Sequence, residues 1–204
     1  DSKKAFVWYE KAASQGFADA QYNLGVMYYK GEGVEKNSKK AIEWFEKAAS
    51  QGLAIAQFSL GLMYDKGEGV KKDIKKAFEW YEKAASQGLA EAQFSLGLMY
   101  DVGEGVEKDS KKAFEWYEKA ASQGFADAQY KLGVMYYKGE GVEKNSKKAF
   151  EWYEKAASQG FAKAQYNLGV MYDKGEGVEK DSKKAIEWYE KAASQGFAKA
   201  QYNL

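Results

Sequence analysis

The 204-residue sequence contains no cysteine, no histidine and no proline, and each absence excludes something. Without cysteine there is no disulfide framework, no thiol nucleophile and no thiolate metal ligand, and the redox compartment cannot be read. Without histidine the commonest metal ligand and the commonest general base are both missing. Charge of one sign is lacking too: 31 basic residues stand against 30 acidic ones, a net charge of +1. That balance gives no electrostatic footprint for nucleic acid and no drive toward an anionic membrane. No run approaches the roughly 20 apolar residues that span a bilayer. The opening residues, Asp1 to Phe6, do not read as a signal peptide, and the compartment stays open. With no proline, glycine alone punctuates the chain, and all 21 glycines fall on four columns of one pattern.

That pattern is a repeat. Residues 37–72 return at 73–108, a shift of 36 residues, and again from Asp109, Asn145 and Asp181; the same register already holds from Asp1. Units therefore start at 1, 37, 73, 109, 145 and 181, the sixth running only to Leu204. A fixed period of this size is the signature of a solenoid. It predicts one domain over residues 1–204 in which each unit touches mainly its neighbours.

Each unit holds two helical patterns. In the first, predicted over Ser2 to Gln15, Ala5, Tyr9, Ala12 and Ala13 form an apolar stripe with Trp8 at its edge. Asp1 or Ser2 can cap its start, and Gly16 its end in a left-handed conformation. From the second unit on, a glutamate (Glu43, Glu79 and equivalents) precedes a lysine by four residues, the favourable order for an exposed helical pair. The second helix is predicted over Ala18 to Lys30, with Ala20, Leu24, Met27 and Tyr28 facing inward. Gly25 lies in its middle, where glycine costs about 1 kcal/mol against alanine, so close approach of the partner helix is expected. Gly31 ends it, and Val34 is expected as a buried plug in the loop that follows. Neither helix can bury its stripe alone; stacked units can. The predicted fold is all-α: an α/α superhelical solenoid of 36-residue helix-turn-helix repeats, right-handed.

Leu24-Gly25-x-x-Tyr28 followed by Ala41-x-x-x-Phe45-x-x-Ala48 resembles the tetratricopeptide signature. The Gly31-x-Gly33-Val34 loop and the block from Trp44 to Gly52 look like the SEL-one-like repeat (SLR) branch of that superfamily, over the whole chain. The resemblance implies a groove on a concave face lined by the second helices. It also implies adaptor or scaffold work, binding proteins or peptides, with no catalysis and no cofactor. Many members carry cysteine pairs bridging helices; this chain has none.

The most variable column among the units is Asp19, Ile55, Glu91, Asp127, Lys163 and Lys199, and next is Asn23, Ser59, Ser95, Lys131, Asn167 and Asn203. Tyr29 and Tyr137 alternate with aspartates, and Lys30 with Val102. Helical spacing puts columns 19, 23, 26 and 30 on one face, and the resemblance puts that face in the groove. Its floor would be Tyr22, Phe58, Phe94, Tyr130 and Tyr166, beside Val26 and Leu62. An aromatic floor with changing polar walls suits a protein or peptide ligand. The competing interpretation is that these columns vary only because solvent does not constrain them.

Other constellations are weak. Gly31-Glu32-Gly33 follows a helix and carries a carboxylate, so it is a poor phosphate cradle. The acidic residues sit among lysines, which reads as a solvated face rather than an acid–base pair or a metal site. Residues 15–40 and 123–148 differ only at Asn23 and Lys131, which fits recent duplication or an idealised, consensus-type array. The end at Leu204 cuts the second helix short and Trp8 has one side open, which predicts end-to-end self-association.

Overall fold

Short polar caps, glycine turns and alternating large and small residues give one helix pair per repeat. The structure is a computed structural model describing residues 1–204, with twelve helices and no strand. The first helix of each repeat is α1 (Ser2–Ser14), α3 (Ser38–Ser50), α5 (Ile74–Ser86), α7 (Ser110–Ser122), α9 (Ser146–Ser158) or α11 (Ser182–Ser194). The second is α2 (Ala18–Lys30), α4 (Ala54–Lys66), α6 (Ala90–Val102), α8 (Ala126–Lys138), α10 (Ala162–Lys174) or α12 (Ala198–Tyr202). The fold is the all-α helix-turn-helix solenoid that the period predicts. It divides into two compact units, one of Asp1–Met99 with Gly103–Glu107 and one of Tyr100–Val102 with Lys108–Leu204.

Local chemistry sets the boundaries. Asn37 and Asp73 accept the backbone N–H of Lys40 and Lys76 at 3.0 and 3.1 Å and so start α3 and α5. The odd helices end in a two-bond glycine motif. Gly52 N–H donates to Ala49 C=O at 2.9 Å and Leu53 N–H to Ala48 C=O at 3.3 Å, with Gly52 at φ +88°. Leu53 packs on the core and directly opens α4, which has no side-chain cap. At the far end of α4, Gly67 at φ +71° lets two successive N–H groups, its own and that of Glu68, share the carbonyl of Met63. Val34, expected as a buried plug, is only half-buried against the core. The loop is closed instead by its backbone, Asn37 N–H donating to Tyr28 C=O at 2.8 Å.

In the first unit α2 packs most closely on α3 and α4 on α5, and in the second α8 on α9 and α10 on α11. The mid-helix glycines make this approach feasible. A β-carbon on Gly25 would stand 2.7 Å from the Phe45 ring, and one on Gly61 2.5 Å from the Tyr81 ring. Leu24, Leu60, Leu132 and Leu168 are fully buried beside them.

Two features depart from the sequence-based expectation. Lys47, Lys83 and Lys155 do not pair with the glutamates four residues before them. They stand over the rings of Trp44, Trp80 and Trp152, 4.0 to 4.2 Å from the centroids. The reason is proximity: the indole three residues back shares the lysine's face, and its π surface draws the ammonium while the glutamate stays hydrated. The second is a buried polar ladder that periodicity does not reveal. Gln57 donates to Ala49 C=O at 3.3 Å, a carbonyl at the end of α3 that also accepts from Gly52 N–H, and accepts from Gln87 at 2.7 Å. Gln21 with Gln51 and Gln165 with Gln195 repeat the arrangement.

Candidate ligand groove

The outward face of the even helices carries the columns that vary most, and the residue at the column of Tyr29 decides what each junction looks like. Where it is tyrosine, the side chain reaches the glycine loop of the next repeat. Tyr29 donates to Glu68 Oε2 at 2.6 Å and Tyr137 to Glu176 Oε2 at 2.5 Å. The hydrogen bond to the carboxylate, then burial and the carboxylate's charge, push both phenols above their ordinary pKa. At Asp65 and Asp101 the shorter side chain takes the hydroxyl of the next odd helix instead. Tyr81 donates to Asp65 at 3.4 Å and Tyr117 to Asp101 at 3.2 Å. Burial first, then the aspartate, holds both hydroxyls in the donor form well past the ordinary tyrosine range.

Beside each of the two tyrosines a pocket opens. The one at Tyr29 has a volume of about 260 Å³ and is lined by Tyr22, Val26, Lys30, Phe45, Ser59, Leu62, Met63, Lys66 and Glu68 as well. The one at Tyr137 has about 170 Å³ and is lined by Tyr153, Tyr166, Asn167, Val170 and Met171. They are the same site three repeats apart: Phe45 corresponds to Tyr153, Ser59 to Asn167, Leu62 to Val170. The second is smaller because Tyr153 adds a hydroxyl and Asn167 an amide where the first has a ring edge and a serine.

Six sequence-predicted residues therefore converge on one pocket (Tyr22, Val26, Tyr29, Lys30, Ser59 and Leu62) and three on the other (Tyr137, Tyr166 and Asn167). The remainder do not join them. Asp19, Glu91, Asp127 and Lys163 are exposed away from both pockets, and Asn23, Ile55 and Phe94 are half-buried. The hydroxyls of Ser59 and Ser95 turn back to their own helix, donating to Ile55 C=O and Glu91 C=O at 2.9 Å. Phe58 stacks at 5.6 Å on Tyr81 and Tyr130 at 5.8 Å on Tyr153, so the aromatic floor also belongs to the core. Lys131 is committed within the chain, 3.0 Å from Asp101 and above the ring of Tyr117.

Phe45, Met63, Lys66 and Glu68 line the first pocket without having been singled out. Phe45 was detectable: it is the one phenylalanine in a column otherwise held by tyrosine (Tyr9, Tyr81, Tyr117, Tyr153, Tyr189). Glu68 was not, because its column is glutamate in every loop. No three acidic residues gather closely enough to hold a metal ion. No helix is long and apolar enough to cross a membrane.

The Sel1 repeat family matches this chain six times, at residues 1–17, 18–53, 54–89, 90–125, 126–161 and 162–197. The chain belongs to the Sel1 repeat family. In that register a repeat runs from an even helix through the odd helix that follows. No curated protein matches the sequence. Among solved structures, a protective antigen of uropathogenic Escherichia coli strains with an SLR fold is 41% identical, with a TM-score of 0.96 over 100% of this chain and 44% of that one. The chain thus spans less than half of that protein's length. A Sel1 repeat protein from Oxalobacter formigenes is 37% identical, with a TM-score of 0.86 over 98% of this chain and 85% of its own. An immunity protein from Pseudomonas aeruginosa is 29% identical, with a TM-score of 0.57 over 93% of this chain and 72% of its own. Sel1-repeat proteins are generally protein-interaction scaffolds and typically non-catalytic.

Proposed function

We propose that this chain is a non-catalytic binding scaffold that holds a protein or peptide segment along the outward face of its even helices. The observation that carries this reading is the pocket at Tyr29. Tyr22, Val26, Phe45, Leu62 and Met63 supply its apolar lining, and Tyr29, Lys30, Ser59, Lys66 and Glu68 its polar groups. At about 260 Å³ it falls just short of the roughly 300–1,000 Å³ of sites that enclose a whole small ligand. It suits a single side chain of a longer partner. The phenols beside the pockets stay protonated at neutral pH and serve as hydrogen-bond donors, not as bases or nucleophiles.

The test is a peptide-library selection against the intact chain and against a variant carrying Tyr29→Asp and Tyr137→Asp. Aspartate is native to that column at 65, 101 and 173, so the repeats should still fold, as circular dichroism would verify. Peptides enriched on the parent and lost on the variant are the expected result. Enriched peptides indifferent to both changes, or no enrichment at all, would overturn this reading.

A further inference from the structure

The two tyrosine junctions differ in ways that specify what each would accept. At the first, Phe45 presents a bare ring edge and Ser59 has folded its hydroxyl back onto α4, so the floor offers hydrocarbon and no unmet polar group. At the second, the Tyr153 hydroxyl and Asn167 narrow the space from about 260 to about 170 Å³. The rim is charged with one sign in excess. The Glu68 carboxylate is already engaged by Tyr29 at 2.6 Å. Lys66 makes no ion pair. Lys30 reaches Glu32 only at 3.8 Å, with both side chains more than half exposed. Lys36 stands over the ring of Tyr29, 5.6 Å from its centroid. Lysines recur at the equivalent columns of the second junction, as Lys138 and Lys174. An apolar slot beside exposed ammonium groups complements an apolar side chain with carboxylates beside it, and long-range attraction of such a segment speeds its capture.

Resting on the groove reading above, we propose that the Tyr29 pocket takes one aromatic side chain of an acidic peptide segment, and the Tyr137 pocket a smaller apolar side chain of the same kind of segment. Phe45 is then a specificity residue: its missing hydroxyl sets the size of what enters.

The experiment uses the intact chain and blocked, fluorescently labelled peptides of the forms Asp-Asp-Phe-Asp-Asp, Asp-Asp-Ala-Asp-Asp and Lys-Lys-Phe-Lys-Lys, read by anisotropy at low and at moderate salt. The chain is used as the parent, as Phe45→Tyr, which installs the residue of every other repeat in that column, and as Tyr29→Asp. The acidic phenylalanine peptide should bind the parent best and weaken as salt rises. Its affinity should fall about fivefold or more in Phe45→Tyr, the effect of forcing extra volume into a filled site. It should fall further in Tyr29→Asp. Equal affinity for the parent and Phe45→Tyr would overturn the size assignment. Equal or tighter binding of the lysine peptide would overturn the charge assignment. If library-selected peptides respond to Tyr29→Asp but are basic, or ignore Phe45→Tyr, this inference falls while the groove reading stands; if no peptide binds the parent, both fall.

Discussion

The junction after Tyr29 and the junction after Asp65 are built on the same backbone, with the same helix lengths and the same glycine beneath a ring, yet they spend their polar groups differently. At Tyr29 the bond runs outward, to a loop glutamate 39 residues on, and the ring below it, Phe45, is left beside open space. At Asp65 the bond runs inward, to the hydroxyl of Tyr81 16 residues on, and the ring is tied from above. Two paired differences, Tyr29 against Asp65 and Phe45 against Tyr81, thus trade a clamped ring for a pocket. The difference teaches that this column redirects the polar groups, to the next repeat's loop at Tyr29 and to the next odd helix's hydroxyl at Asp65.

The most severe way to probe the comparison is to crowd the ring in both places. An alanine in an exposed helix interior gains about 1 kcal/mol over glycine, but overpacking a filled core costs about 1–3 kcal/mol. At Gly61 the added carbon would stand 2.5 Å from the ring of Tyr81, which is 2% exposed and held by Asp65. Gly61→Ala should lower stability by about 2 kcal/mol. At Gly25 the Phe45 ring can retreat toward its pocket, so Gly25→Ala should cost about 1 kcal/mol less. Urea unfolding followed by circular dichroism measures both. Equal losses would mean the pocket gives the ring no freedom, and the contrast between junctions would collapse.

A second probe removes the inward bond. Tyr81→Phe should lose about 1 kcal/mol, because Asp65 remains near water and can be rehydrated. The same variant has a pH signature. Burial above all, with help from Asp65, raises the Tyr81 pKa above its ordinary 10.0. Above about pH 10 the unfolded chain has therefore released a proton that the folded chain retains, and stability must fall as pH rises. Unfolding midpoints between neutral pH and about pH 11 should decline in the parent and decline less in Tyr81→Phe. Removing Tyr29 by Tyr29→Phe should change that slope less, since its half-buried phenol suffers less desolvation than the buried Tyr81 and is raised less. A slope unaffected by Tyr81→Phe would show that its hydroxyl is not held as described.

What the sequence discloses follows from range. The period, the helix limits and the glycine ends are local patterns, and Ala18–Lys30 is recovered to the residue. Gly25 declared a close approach because an unexplained helix-interior glycine needs one. The pocket is legible only in part: Tyr22, Val26 and Tyr29 share a helix face, but Phe45 and Glu68 arrive from the next repeat, and nothing in a column of constant glutamates announces a partner. The ladder from Gln21 and Gln57 was invisible for a related reason. A glutamine next to an alanine on a helix looks solvated until a neighbouring helix end supplies it with a carbonyl. Lys131 misled in the opposite direction: the variation that suggested ligand contact is met within the chain by Asp101.

The smallest expected effect separates two junctions of the aspartate kind. Asp101 is held from both sides, by the Tyr117 hydroxyl at 3.2 Å and by Lys131 at 3.0 Å. For Asp65 the column of Lys131 holds Ser95, whose hydroxyl is turned back to its own helix. Lys131→Ser would make the first resemble the second. The two side chains of the ion pair remain 31% and 25% exposed, so the pair is worth no more than about 0.5–1 kcal/mol and less in salt. The variant should therefore unfold within about 1 kcal/mol of the parent at low ionic strength, and the gap should shrink as salt is added. A larger, salt-insensitive loss would mean that Asp101 depends on its cation rather than on Tyr117, and that the inward bond alone does not define the aspartate junction.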